Sequence, residues 1–175
     1  MHDVLDLTVT LTPPPADRPD AMATIALRCE GLCEPHSGDV LVPPLTEAER
    51  EGLDWYLEEY WRWPFLEFET RGKAVEASLE AVGQRLYEAL FDSAKASRIL
   101  TRWEDAAATQ RRISIVSAMP AVLSLPWELL HDGQGFLVLK VRPPVSIVRR
   151  FEGVKSSQRV AFEPIGIKLG ARTIF

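Results

Sequence analysis

Cys29, Cys33 and His36 fall within one short stretch of the chain, and they are the side chains with the plainest chemistry. Thiolate and imidazole are ligands that zinc prefers, in sets of four at structural sites. The spacing Cys-x3-Cys-x2-His matches no common finger, and a fourth ligand would have to come from His2 or His131, far off in sequence. Cys33 and His36 are also close enough in sequence to be read as a nucleophilic pair. Such a pair needs a thiolate beside a base and donors for an oxyanion, and no glycine-rich nest or obvious helix start follows them. The plainer reading is two small side chains in a strand and its turn, with no metal and no cofactor.

Glu128 is the ionisable side chain of the otherwise apolar run Met119–Leu130. An uncompensated buried carboxylate costs more than folding can absorb, so Glu128 must be paired, hydrogen-bonded, protonated or turned to solvent. Arg149 or Arg150 can supply a guanidinium from a strand, and the turn 133–135 can supply backbone amides. The alternative is a solvent-facing glutamate on one helical turn. No P-loop, dinucleotide fingerprint, nucleophile elbow or metalloprotease helix is present.

The elements that must position these residues can be read from periodicity. Val4 to Thr12 alternates, with Leu5, Leu7, Val9 and Leu11 on one face, and Ala23 to Cys29 alternates again, which predicts an antiparallel pair. A third short strand is expected over Asp39 to Val42. Thr46 and Glu49 form a capping box that opens a helix running to about Trp63, before Pro64. On that helix Leu53, Tyr56, Leu57, Tyr60, Trp61 and Pro64 share a face, whereas Trp55 projects among Glu58, Glu59 and Arg62 as an exposed ring and a candidate partner contact. Val75, Leu79, Val82, Leu86 and Leu90 predict an amphipathic helix over Lys73 to Phe91, and Ser93 caps a third over Ala94 to Ala108 with Ile99, Leu100 and Trp103 inward. Strands are then expected at Ile113 and Ile115, Phe136 to Val141, Val145 to Val148 and Arg159 to Phe162.

The formal net charge is −5, with a sequence pI near 5.3, which speaks against a nucleic-acid partner. Acidic side chains crowd residues 1–110, while residues 111–175 are net basic. The two cysteines imply no disulfide framework. The first residues lack the pattern of a signal peptide, and nothing approaches the roughly 18 consecutive apolar residues of a membrane span. The expected location is therefore the cytoplasm, with no membrane partner.

Three segments stand in order: Leu125-Pro126-Trp127-Glu128-Leu129-Leu130 with Asp132; Gly135-Phe136-Leu137-Val138-Leu139; and Ser146-Ile147-Val148-Arg149-Arg150. Together with Trp55 to Phe65 upstream they resemble the CHAT domain, a family of bacterial caspase-like cysteine peptidases often joined to tetratricopeptide repeats. The resemblance covers most of residues 3–152. It implies a non-catalytic N-terminal pseudocaspase part supporting a later catalytic lobe. The family's catalytic His lies in a His-Gly motif and its Cys follows a buried strand, both downstream of the SIVRR segment. Here His2, His36 and His131 are followed by Asp3, Ser37 and Asp132, and both cysteines precede the first helix. From Arg159 onward the sequence departs from the family pattern, which suggests a truncation or fragment.

The expectation is a single α/β domain over residues 1–175. A β-hairpin region spans 1–45, three helices occupy 46–110, strands of an incomplete caspase-like sheet occupy 111–162, and an irregular tail spans 163–175. Its expected role is scaffolding or regulation without catalysis. Expected partners are proteins: a missing catalytic lobe, a tetratricopeptide-repeat protein, or a second copy through an unpaired sheet edge. An interaction module using Trp55 and that edge is the alternative, and a thiol or zinc enzyme using Cys29, Cys33 and His36 is the third reading.

Overall fold

Alternation along Val4–Thr12 makes strand β1, and the same alternation makes β2, Ala23–Cys29, which pairs with it antiparallel. Strand β3, His36–Leu41, adds to β2 antiparallel, starting three residues earlier than the sequence suggested. Strands β4, Gln110–Ser117, and β5, Val145–Phe151, lie on the other side of β1, both parallel to it. The order across the sheet is β3-β2-β1-β4-β5. The structure, a computed structural model, describes residues 4–152 apart from 63, 64 and 66. It is an α/β fold, and the strand expected at Arg159–Phe162 lies outside the described residues.

Parallel neighbours need long crossovers, and the helices supply the first of them. Helix α1, Glu47–Glu58, opens on the Thr46–Glu49 capping box. Helix α2 spans Glu67–Phe91 and α3 spans Ala94–Asp105, the latter capped by the Ser93 hydroxyl. One apolar layer joins Leu7, Val9, Leu11, Ile25, Leu27, Ile113 and Ile115 of the sheet to Val82, Leu86 and Leu90 of α2 and to Ile99, Leu100 and Trp103 of α3. The opposite sheet face carries Asp6, Thr8, Thr10, Thr24, Arg112 and Arg150. Ser114 is buried there because its hydroxyl donates to Asp6, which Arg150 also reaches at 3.2 Å.

Several expectations are corrected by packing. Helix α1 stops at Glu58 rather than near Trp63, and Tyr60–Arg62 forms a 3₁₀ turn. That turn stacks the Tyr60 ring on Tyr56, with centroids 5.0 Å apart, and lays it where α2 has Gly72 and no Cβ stands in the way. Leu57, expected on the buried face, is 63% exposed, and no residue of α1 is fully buried. Helix α2 begins at Glu67, about two turns before its apolar period starts at Val75, held there by the Lys73–Glu69 pair and by contacts to Trp55. The strand expected over Phe136–Val141 is a 3₁₀ turn at Leu137–Leu139. Only Leu137 of its alternating residues points into the core; Leu139 and Val141 face solvent, and β5 takes the place beside β4. Helix α4, Pro120–Leu123, and a 3₁₀ turn at Trp127–Leu129 begin the second crossover.

Candidate functional site

Cys29 and Cys33 are both free thiols, but the fold separates their surroundings. Cys29 is sealed in the core on β2. Burial pushes its thiol up to about 11, with smaller contributions from Cys33 and Asp6, so the thiolate is suppressed at neutral pH. Cys33 is half-buried and lines a cavity of about 640 Å³ together with His36, Ser37 and the side of α3. No group of three His, Cys, Asp or Glu side chains among the described residues is placed to hold a metal ion.

His36 opens β3, and its Nε2 stands 2.9 Å from Asp39 Oδ2. Ser93 Oγ donates to the same carboxylate oxygen at 2.6 Å and lies 3.5 Å from the imidazole. The three residue types are those of a serine triad, but the order of contacts differs. The hydroxyl hydrogen is aimed at the carboxylate, and Ser93 Oγ itself accepts the Ala96 amide as the cap of α3. In a working triad the imidazole receives that proton. This cluster instead ties β3 to the start of α3. Burial raises the Asp39 carboxyl, but hydrogen bonds from Ser93 and His36 outweigh it and hold the group below the usual carboxylate range.

The motif segments converge. Leu125, Trp127 and Leu130 are buried, and the Trp127 indole donates to the Val122 carbonyl at 3.0 Å. Pro126 and Leu129 are half-buried beside them. The Arg149 guanidinium meets the Glu128 carboxylate with both forks, and donates besides to the carbonyls of Leu123 at 2.8 Å and Leu125 at 3.0 Å. Of the partners open to Glu128, the structure selects Arg149. Arg150 points to the opposite face and meets Asp6. Of the turn amides, Gly133 donates to His131 Nδ1 at 3.0 Å, while Gln134 and Gly135 donate to Asp132 at 3.0 Å; Asp132 also pairs with Lys140 at 2.6 Å. Ser146 donates to the Arg111 carbonyl, Ile147 packs against the core, and Val148 is half-buried on the other face.

The Glu128 pair is half-exposed, with side-chain exposures of 49% and 35%, so water screens it. Glu128→Ala is expected to cost about 0.5–1 kcal/mol. Arg149→Ala should cost more, about 1–2 kcal/mol, because two backbone carbonyls also lose their donor. Denaturant unfolding of the two variants checks the order; equal midpoints would mean that the carbonyl bonds carry nothing.

Trp55 is half-buried rather than exposed. The Arg71 guanidinium lies 3.9 Å above its ring, and Tyr60 and Phe68 flank it at 5.6 and 6.1 Å. Helix α2 extends far enough toward its N-terminus to place Arg71 and Phe68 there, which the sequence pattern did not anticipate.

Sequence reasoning also passed over Arg111 and Gly83. Arg111 is buried, and its guanidinium donates to the carbonyls of Trp103, Glu104 and Ala106 at the end of α3. An arginine at the first inward position of a strand, just after a helix, was the available signal. Gly83 is buried in α2; its carbonyl accepts the His131 amide at 3.2 Å, and a Cβ built on it would overlap the Leu129 carbonyl. No protein-family model matches the chain, and no curated protein matches it.

Proposed function

We propose that this chain is the non-catalytic N-terminal part of a CHAT-type, caspase-like peptidase, a scaffold that supports a catalytic lobe. The observation that carries this reading is the Glu128–Arg149 clamp. It joins the two segments on which the resemblance rests, placing the LPWELL turn against the SIVRR strand. That strand, β5, ends the described sheet and has a neighbour on one side, β4. A further strand from a catalytic lobe would meet its other edge, whose N–H and C=O groups suit main-chain pairing.

The test supplies a polypeptide carrying the His-Gly and Cys motifs in trans. The chain alone is expected to hydrolyse no peptide and to leave Cys29 and Cys33 unlabelled by peptidyl electrophiles. With the lobe present, a stoichiometric complex and labelling of the lobe's cysteine are expected. Modification of Cys33 in the isolated chain that depends on His36 would overturn the reading in favour of a thiol enzyme.

The second reading, a protein-interaction module, draws support from Leu57, Phe65 and Phe68, which are 63%, 67% and 38% exposed near the α1–α2 turn. Their surface, rather than the covered Trp55 ring alone, would be the contact.

A further inference from the structure

The cavity beside His36 has an electrostatic character that the scaffold role does not use. Lys95, Arg98 and Arg102 all line it, and all three are exposed. On α3 they sit at i, i+3 and i+7, which stacks them along one stripe of the helix. Like charges at that spacing repel one another. Lys95 also stands in the first turn, at the positive end of the helix dipole, and α3 has no acidic residue there to offset it.

The described residues offset this stripe only in part. Arg102 spends one nitrogen on the Leu32 carbonyl at 3.1 Å, which orients the guanidinium without cancelling its charge. Asp39 offsets the Lys95 end, since the two charges attract, but Arg98 and Arg102 make no ion pair among the described residues. Glu34 is the carboxylate of the lining, and it is exposed and makes no ion pair among the described residues. A chain of net charge −5 thus gathers three cations in one concavity.

We propose that this cavity binds a phosphate-bearing small molecule, with Arg98, Arg102 and Lys95 around the phosphate oxygens. Guanidinium forks match phosphate geometry, and lysine adds a point charge. A volume of about 640 Å³ exceeds what bare phosphate fills and lies in the range of small-molecule sites. Ile99 and Pro35 give the organic remainder an apolar wall, and Ser37 stands in the lining as a hydroxyl donor. The site is independent of the scaffold reading, since it uses neither β5 nor the motif segments.

Calorimetric titration of the full chain at low salt tests it with pyrophosphate, AMP and ATP, and with sulfate as the control. Saturable 1:1 binding of at least one phosphate compound is expected, with sulfate much weaker. Binding tighter for a nucleotide than for pyrophosphate supports use of the apolar wall; equal binding supports a site that reads phosphate alone. Lys95→Ala/Arg98→Ala should weaken the affinity roughly tenfold or more, the loss of a charge-assisted hydrogen bond. Arg98→Gln, which removes charge but keeps a good helix former, should weaken it as well, and thermal unfolding of each variant reports on the fold. The proposal is overturned by the absence of saturable binding for every phosphate compound, by undiminished affinity in folded variants, or by sulfate binding as tightly.

Discussion

Replacing Gly83 with alanine is expected to lower the unfolding free energy by about 3 kcal/mol, although alanine is the better helix former by about 1 kcal/mol. In an ordinary exposed helix the change would stabilise. Here the backbone of the 129–131 segment lies directly on α2. The Gly83 carbonyl accepts the His131 amide, and the space a methyl group would occupy is filled by the Leu129 carbonyl oxygen. Backbone cannot rotate aside as a side chain can, so the whole LPWELL turn would have to lift from the helix. The thermal midpoint should fall by roughly 6–12 °C for a domain of this size. Gly72→Ala makes a useful comparison. Its Cβ would meet the Tyr60 ring at 2.6 Å, but a ring at the edge of the fold can swing away. A Gly83 variant as stable as the wild type would show that the segment is not seated on α2.

Trp127→Ala is the second large effect, expected to cost about 3–5 kcal/mol. The ring is fully buried in the apolar core, on a turn that packs against α2, and its removal leaves a cavity there. Trp127→Phe separates volume from hydrogen bonding. It restores much of the lost volume but leaves the Val122 carbonyl without the indole donor, and should cost about 1–3 kcal/mol. Chemical denaturation of both variants, with Arg149→Ala alongside, would rank the steric and polar parts of the motif. A Trp127→Ala midpoint within error of the wild type would place the indole at the surface.

Much of this fold was legible because its elements repeat at their own period. The alternation in β1 and β2, the Thr46–Glu49 box and the apolar steps of α2 each imply a local structure that tertiary packing had no reason to override. Phe136–Val141 shows where that logic stops. Its alternation is genuine, but a strand needs a free neighbour, and β5 already occupies the edge of β4. Trp55 failed differently, because the residues covering it come from a helical segment, Glu67–Gly72, that carries no apolar period. Glu128 was constrained to find a partner, and alternation in β5 placed Arg149, not Arg150, on the face that could reach it. The Asp39–Ser93 contact and the bed that Gly83 makes for the 129–131 segment join residues distant in sequence, and no local pattern encodes such pairs.

Among the described strands, β1 comes earliest in sequence and lies in the middle of the sheet. β1 takes β2 on one side after a short connection, residues 13–22, but its other side waits for β4, and the Ser117 hydroxyl reaches the Leu11 carbonyl across 106 positions of sequence. At ~5–20 residues per second, the ribosome keeps that side open for roughly 5–20 s while the helices emerge. During this interval the hairpin offers a bare row of amides and carbonyls to any neighbouring nascent chain. Closing the long loop also slows folding once synthesis is complete. Yield in a cell should therefore respond to translation speed and to chaperones that shield strand edges, independently of the stability of the finished domain.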